Sequence, residues 1–328
     1  MAARESHLLE KIHIPALLVE GGRVTFANAA ATELLGAHIV GQDARIALRD
    51  PDAVALIHSG ESGSVRLHGL SVPGSLWNMS CHRLDDTVRL ITLDDLSVRL
   101  SVARAHADFV ANASHELRTP LAAILGYVET LENPKAGGDA ETRERFLGII
   151  RHEAQRMQAL VEDLMSLSRI EAGKHDAPDE PVDIVALARQ AVAEVSARGK
   201  VELSCEADRA MVAGDRGQLA QVLRNLIDNA IKYGKGDGTV RVAIEVSDSG
   251  RLLLSVNDEG EGIAPEHLPR LTERFYRADT SRSRAAGGTG LGLSIVKHVV
   301  ERHRGRFDIS STPGKGTSAT VILPLLKD

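Results

Sequence analysis

At 328 residues the chain is long enough for two or three domains of roughly 100–200 residues each. Its composition, 43% hydrophobic and 26% charged, is that of an ordinary globular protein, and a net charge of −6 gives no support for direct binding to nucleic acid. Two cysteines, far apart and in no metal-binding spacing, indicate a reducing compartment. No run approaches the roughly 18 apolar residues of a membrane-spanning helix, and no signal peptide is visible, so we expect a cytoplasmic protein or the cytoplasmic part of a membrane-anchored parent.

Residues 8–96 alternate short apolar runs with turn signals, a pattern that predicts a small α+β domain. The runs Pro15–Val19 and Val24–Phe26 are separated by a glycine pair, at the spacing of a β-hairpin. A short helix is expected from Asn28 to Leu35. Further strands are expected at Ser64–Leu67, Leu76–Cys81 and Val88–Leu93.

The stretch Ala16-Leu-Leu-Val…Gly22-Arg-Val-Thr-Phe-Ala-Asn28 resembles the start of a PAS domain. The resemblance implies a sensor domain but names no ligand for it. No cysteine lies where a flavin-binding photosensor needs one, and nothing distinguishes a haem ligand among His38, His58 and His68. Trp77 is expected in the domain core.

Residues 97–174 change to a helical pattern. Heptad-like apolar spacing predicts one long helix from Ser97 to Leu131 and a second from Asp139 to Ala172, which Gly173 ends. A single antiparallel hairpin cannot bury both of its apolar stripes, so we expect two chains to form a homodimeric four-helix bundle. The predicted stripes are Val98, Val102, Ala105, Phe109, Ala113 and Leu117 on the first helix, and Phe146, Ile149, Glu153, Met157, Leu160, Leu164 and Leu167 on the second.

After an acidic linker bracketed by prolines, Asp176–Pro181, residues 180–328 mix helices and strands. This pattern predicts a two-layer α/β sandwich with a mostly antiparallel sheet. The expected helices are Ile184–Arg198, Gly217–Tyr233, Pro265–Tyr276 and Gly292–Gly305, and the expected strands lie near Val201–Glu206, Val240–Ser247, Arg251–Asn257, Arg306–Ser310 and Thr317–Leu323. The three parts together predict a multidomain α+β protein.

The strongest chemical signal is the stretch Phe109-Val-Ala-Asn-Ala-Ser-His115-Glu-Leu-Arg-Thr-Pro120 in the first long helix. Pro120 removes a backbone hydrogen bond and distorts the helical turn around His115. A neutral imidazole is a nucleophile when its second nitrogen keeps the proton, and the neighbouring Glu116 is the candidate acceptor for that N–H. The stretch resembles the H-box of sensor histidine kinases. That resemblance implies that His115 is the phospho-acceptor, and Thr119 matches the position that orients a hydrolytic water.

Further along, the stretch Asn225-Leu-Ile-Asp-Asn229-Ala-Ile-Lys232-Tyr233 predicts a helix whose two asparagines and lysine share one face. Amide oxygens suit Mg²⁺, a hard cation that binds phosphates, and a nearby lysine neutralises phosphate charge. Taken alone, the same pattern also fits a polar helix face in water.

Glycine-containing stretches follow. Asp258 precedes two glycines at a strand end, where its carboxylate can accept a hydrogen bond from the amino group of adenine; guanine has a carbonyl there. Glu273–Ala286 predicts a mobile lid from which Arg277 reaches a triphosphate. Gly287–Leu293 opens a helix and exposes backbone N–H groups to anions. Gly314–Thr317 is first of all a hairpin turn.

In this order the stretches resemble the nucleotide-binding boxes of the Bergerat-type ATP-binding domain, at the spacing found in histidine kinases, and the resemblance covers about residues 105–328. It implies ATP and Mg²⁺ as cofactors, with Asn229 as the Mg²⁺ ligand and Asp258 as the adenine contact. The other positions that it assigns to the nucleotide are Asn225, Lys232, Tyr233, Gly260, Gly262, Arg277, Gly288, Thr289, Gly290, Leu291, Gly292 and Thr317.

The resemblance implies a kinase that uses ATP to phosphorylate its own His115 and passes the phosphoryl group to an aspartate of a response regulator, with dephosphorylation of that regulator as a second activity. Two alternatives stay open. ATP-driven clamps of the same nucleotide fold carry a glutamate where this chain has Asn225, and they lack a counterpart of the His115 hairpin. A catalytically dead scaffold has little support, because no nucleotide box is visibly broken.

Donor and acceptor are expected in different domains, so the linker Gly173–Pro181 would have to let the ATP-binding domain swing onto the bundle. The PAS-like domain would bias that motion through the continuous helix from about Asp94 to Ala113. The sequence does not distinguish phosphorylation within one chain from phosphorylation between the two chains of a dimer.

Overall fold

The computed structural model describes residues 8–59, 61–133, 139–173, 176–195, 199–278 and 288–326, with no description of the side chains of 98, 99 and 101–106. Contacts divide the chain into two compact units, Met1–Val110 and Ala111–Asp328. Within the described ranges, no helix combines the length and the apolar character that crossing a bilayer requires.

The first unit contains a five-stranded antiparallel sheet with the order β2-β1-β5-β4-β3. Its helices lie between β2 and β3 in the sequence, as expected. The elements are β1 (Ala16–Glu20), β2 (Arg23–Ala27), α1 (Ala29–Leu35), α2 (Ala44–Ala47), α3 (Pro51–Ser59), β3 (Gly63–His68), β4 (Leu76–Arg83) and β5 (Val88–Asp95).

Asn28 fixes the junction between β2 and α1. The residue is completely buried, and its Oδ1 accepts hydrogen bonds from the backbone N–H groups of Ala16 and Ala31. Its Nδ2 donates to the backbone carbonyls of Ile12 and Ile14. A buried amide with every polar atom paired adds specificity at little desolvation cost. Trp77 lies in the core of this unit, as predicted.

The helical hairpin consists of α4 (Ser97–Glu132) and α5 (Ala140–Ala172). Both helices agree with the predicted bounds to within a residue. The Asp139 carboxylate caps α5 by accepting the N–H of Thr142. Between the helices, the rings of Tyr127 and Phe146 lie 5.1 Å apart.

The remainder of the second unit is a two-layer domain, with helices packed on a sheet of the order β11-β12-β10-β9-β7. All neighbours are antiparallel except the parallel pair β7 and β9, which confirms the predicted sheet. The elements are β6 (Pro181–Asp183), α6 (Ile184–Val195), β7 (Lys200–Cys205), β8 (Met211–Ala213), α7 (Arg216–Tyr233), β9 (Thr239–Ser247), β10 (Arg251–Asp258), α8 (Gly292–Arg302), β11 (Arg306–Thr312) and β12 (Gly316–Pro324).

The prediction of a helix over Pro265–Tyr276 is wrong. Only Leu268–Arg270 forms a helical turn, of the 3₁₀ type. Pro269 supplies no backbone N–H, which shortens the run, and Phe275 has a φ of 62°, outside the right-handed helical region. The N–H of Phe275 donates instead to the carbonyl of Gly290 at 2.9 Å.

The start of the predicted linker is held by side-chain contacts. Arg302 Nε donates to the backbone carbonyls of Gly173 and Asp176, each at 3.1 Å. After this point Pro181–Asp183 pairs with Met211–Ala213 as a two-stranded sheet. These two strands were not predicted, since each is too short to show an alternating pattern.

A buried histidine joins the two central helices of this domain. His303 is 3% exposed; its Nδ1 donates to the carbonyl of Val299 at 2.7 Å, and its Nε2 accepts the N–H of Asp215, the N-cap of α7, at 3.0 Å. Burial lowers the pKa of His303 below its ordinary value. The hydrogen bond at Nε2 requires the neutral ring, because a protonated Nε2 cannot accept.

We expect the free energy of unfolding to decrease as the pH falls below about 6.5, the ordinary pKa of histidine. The unfolded chain takes up a proton there while His303 in the folded chain stays neutral, at a cost of about 1.4 kcal/mol per pH unit until the folded pKa is reached. Urea titrations at pH 7.5 and 5.5 measure this loss, which should be smaller in His303→Gln. An equal loss in the variant and the wild type would contradict the assignment.

Candidate functional site

His115 lies on the exposed side of α4, one and a half turns before the buried Pro120. Because Pro120 has no N–H, the carbonyl of Glu116 lacks its usual helical partner. Thr119 Oγ1 donates to the carbonyl of His115 at 3.2 Å, a side-chain bond that competes with the helical backbone bonding of the same turn. The ring of His115 is therefore accessible on a locally weakened helix.

Glu116 is held by arginines rather than by the histidine beside it. Its Oε2 lies 3.1 Å from Nη2 of Arg156 on α5 and 4.0 Å from Nη1 of Arg277. Among the described residues no hydrogen bond joins Glu116 to His115, which differs from the expected geometry. Adjacent helical side chains diverge by about 100°, so one cannot easily cover the other. The arginine side chains are 11% and 8% exposed, respectively.

The predicted polar face of α7 is present in the structure. Asn225 Nδ2 donates to the carbonyl of Gly292 at 3.2 Å, which ties α7 to the start of α8. Asn229 is half-buried, and within the described ranges its amide has no hydrogen-bond partner. Lys232 and Tyr233 are exposed at the end of the helix. The four residues lie on two successive turns.

Asp258 lies at the end of β10, opposite Thr317 on β12. Its Oδ1 accepts the N–H of Gly260 at 2.8 Å, and the N–H of Thr317 also bonds to the carboxylate. Burial nevertheless raises the pKa of Asp258. Asp258, Thr317 and Lys315 line an open cavity of about 310 Å³.

The glycines after Asp258 serve close backbone packing within the protein. A Cβ on Gly260 would lie 2.2 Å from the carbonyl oxygen of Tyr233. Gly262 has a φ of +69°, and a Cβ there would lie 2.2 Å from the carbonyl oxygen of Thr312. These glycines therefore position the turn; the family resemblance assigns the same two positions to the nucleotide.

The loop Gly288–Gly292 leads into α8, whose N-terminus has no side-chain cap within the described residues. Leu291 is fully buried, so only its backbone can face a ligand; its N–H donates to Thr289 Oγ1 at 3.3 Å. Gly290 has a φ of +73° and packs against the backbone of Phe275. The loop and the turn before Arg277 are thus in direct contact.

The predicted lid extends beyond the described residues, which stop at 278 and resume at 288. At its first edge, Arg277 was expected to reach a triphosphate, and in the structure its guanidinium faces Glu116. This contact brings the segment before the predicted lid next to the helical turn that carries His115.

The helix α5 makes polar contacts with the domain that follows it, and these contacts were not predicted. Thr289 Oγ1 donates to Asp163 Oδ2 at 2.8 Å, and Ser166 Oγ donates to Gln221 at 2.6 Å. Glu171, near the end of α5, pairs with Arg274. The sequence feature that could have indicated these contacts is the position of Asp163 beside the apolar stripe of α5.

Two families match the parts of the site. Residues 105–173 match the His Kinase A (phospho-acceptor) domain, and residues 214–327 match the histidine kinase-, DNA gyrase B- and HSP90-like ATPase family. His115 lies in the first matched segment, and every residue predicted to line the nucleotide lies in the second.

Individual proteins are also similar to this chain in sequence or in structure. The phosphate regulon sensor protein PhoR of Pseudomonas aeruginosa is 43% identical over 237 residues, 70% of this chain and 53% of that protein, so the chain spans about half the length of this relative. Full-length ShkA in complex with AMPPNP is 29% identical, with a TM-score of 0.50, over 68% of this chain and 46% of that one. The histidine kinase ThkA, solved with the response regulator protein TrrA, shares the fold at 20% identity, with a TM-score of 0.56 over 97% of this chain and 98% of that one.

Proposed function

We propose that this chain, which carries the phospho-acceptor and ATPase domains of the sensor histidine kinases, phosphorylates its own His115 with ATP and passes the phosphoryl group to an aspartate of a response regulator. The contact of Arg277 with Glu116 carries the proposal, because it joins the ATP-binding part to the residue beside the phospho-acceptor. Thr119, one turn further along α4, is the residue that we assign to the reverse reaction on the regulator, the hydrolysis of its aspartyl phosphate.

The donor set fits a nucleotide bound with Mg²⁺. Asn229 offers a half-buried amide oxygen, the type of ligand that Mg²⁺ accepts alongside phosphates and water. Lys232, one turn away, adds positive charge for the phosphates. Bound there, Mg²⁺ would neutralise the charge of the triphosphate, and Asp258 would select adenine through its amino group.

The reaction is a direct transfer to nitrogen. A ring nitrogen of neutral His115 forms a bond to the γ-phosphorus while the bond to the bridging oxygen breaks, and ADP leaves with that electron pair. The imidazolium forms one residue before Glu116, whose carboxylate Arg156 and Arg277 hold in place. Positioning and charge neutralisation dominate reactions of this kind.

Pairing of two hairpins completes the phospho-acceptor domain in this proposal. Large apolar side chains of the hairpin remain exposed in the single chain, among them Leu121, Leu125, Val128, Val161 and Met165. A stripe of this kind is buried when two hairpins associate as a four-helix bundle. Light scattering of the purified chain at micromolar concentration should give the mass of a dimer.

The first unit is assigned to the PAS-like sensor domains. Its sheet order, with the edge strands β2 and β3 and the helices inserted between them, supports this assignment.

An ATP-driven clamp is the weaker alternative. Hydrolysis by such enzymes needs a general base near the metal-binding asparagine, and Asn225 has no basic group. Its amide instead bonds to the carbonyl of Gly292 and so serves to hold α8 against α7.

Arg277→Ala is expected to lower the rate of autophosphorylation by about 10²-fold or more, since arginines that stabilise the transferring phosphoryl group contribute at least this much. Transfer of labelled γ-phosphate under single-turnover conditions measures the effect. Arg306→Ala, which removes an exposed arginine paired with Asp308 on β11, is the matched control and should keep the wild-type rate. A folded Arg277→Ala chain with the wild-type rate would rule out the proposed role.

A further inference from the structure

One face of α5 packs against the ATP-binding part of the second unit. Leu160, Leu167 and Ile170 are buried on this face. Asp163 lies among them, three residues after Leu160 and four before Leu167, so its side chain belongs to the same face. A carboxylate in an apolar contact surface costs free energy unless it is paired.

The contacts of Asp163 point into the predicted phosphate region. Its Oδ2 accepts the hydroxyl of Thr289, in the glycine-rich loop, at 2.8 Å. The positive charge of Lys232 on α7 also acts on the carboxylate, while burial and the neighbouring Glu162 oppose its ionisation and raise its pKa. The hydroxyl that binds Asp163 and the lysine whose charge acts on it both belong to residues predicted to line the nucleotide.

We propose that Asp163 is a negative determinant of nucleotide affinity: its carboxylate occupies the hydroxyl of Thr289 in the glycine-rich loop, and the phosphates of ATP must displace it. The inference rests on the proposed function, because it concerns the same nucleotide. A hydroxyl donates only one hydrogen, so the carboxylate and a phosphate cannot both accept it, and the two anions repel each other at this distance. The displacement is a competition within the chain, between the hairpin and the ligand.

This competition couples nucleotide binding to the position of the hairpin. Bound ATP weakens the contact of α5 with the glycine-rich loop, and by linkage any movement of α5 that withdraws Asp163 increases the affinity for ATP by the same factor. The position of α5 would thus control whether the phosphates of ATP can reach Thr289.

The test measures the affinity of the full chain for Mg-AMPPNP, an analogue that does not transfer its terminal phosphate, by isothermal titration calorimetry. Asp163→Asn and Asp163→Ala are expected to bind it about five-fold or more tightly than the wild type, at the lower end of typical coupling between sites. Glu162→Gln removes the same charge from the exposed neighbouring position and should stay within about two-fold of the wild type.

A second control distinguishes the effect of removing the charge of Asp163 from the effect of weakening the contact between α5 and the ATP-binding part. Ser166→Ala removes the hydrogen bond of α5 to Gln221 without changing the charge, and its affinity should equal that of the wild type. Equal affinities in wild type and both Asp163 variants would overturn the inference, as would a gain in Ser166→Ala as large as that in Asp163→Asn. Failure of the wild type to bind Mg-AMPPNP would overturn the proposed function and this inference together.

Discussion

A His115→Gln chain is expected to incorporate at least about a thousand-fold less phosphate from Mg-ATP than the wild type, because removal of a nucleophile costs at least this much. The glutamine amide has the size and polarity of the ring but no nucleophilic lone pair. His115 is exposed, so the substitution leaves the packing of α4 unchanged. Labelling with γ-³²P-ATP over a range of times measures the loss.

His152→Gln is the matched control for this prediction. His152 is an exposed histidine of α5, also beside a glutamate, and it lies on the helix that packs against α4. Its replacement should leave labelling within about two-fold of the wild type, as usual for a surface position. Full labelling of His115→Gln, or loss of labelling in His152→Gln alone, would move the phospho-acceptor to another residue.

Asp258→Asn is expected to weaken ATP binding by about 10- to 100-fold, the range for losing a hydrogen bond to a charged group. The variant places a donor NH₂ opposite the amino group of adenine, so the preference for ATP over GTP should shrink as well. Competition of ATP and GTP against a fluorescent nucleotide reports both changes.

The variant must also be shown to fold, since Asp258 accepts backbone N–H groups from Gly260 and Thr317. Thermal melts identify any loss of stability. Asp248→Asn changes an exposed aspartate in the turn between β9 and β10 and serves as the control for charge. A folded Asp258→Asn chain with wild-type affinity and wild-type discrimination would remove Asp258 from the adenine contact.

The elements of this fold were predictable wherever one physical signal dominated. The long helices α4 and α5 carry sustained heptad spacing, and Asn28 and Asp139 mark helix starts by their capping chemistry. The strands β9 and β10 are rich in apolar residues, and their burial alternates along the strand as in a half-buried sheet. Local pattern and tertiary packing agree at these places, so the sequence alone was sufficient.

Contacts between distant segments were not predictable. The pairing of Glu116 with Arg156 joins positions forty residues apart and depends on the register of α4 against α5. The hydrogen bond of Thr289 to Asp163 depends on how α5 packs on the following domain. The incorrect prediction of a helix over Pro265–Tyr276 has a different cause. The backbone hydrogen bond between Phe275 and Gly290 overrides the local helical propensity.

The most direct test of the account is the chemistry of the phosphorylated protein. Wild-type chain incubated with Mg-ATP should acquire one phosphate that is stable in base and lost in acid, the behaviour of a phosphoramidate, and mass spectrometry under neutral conditions should locate it on His115. A folded chain that acquires no such phosphate, or carries it on a different residue, would contradict the central claim.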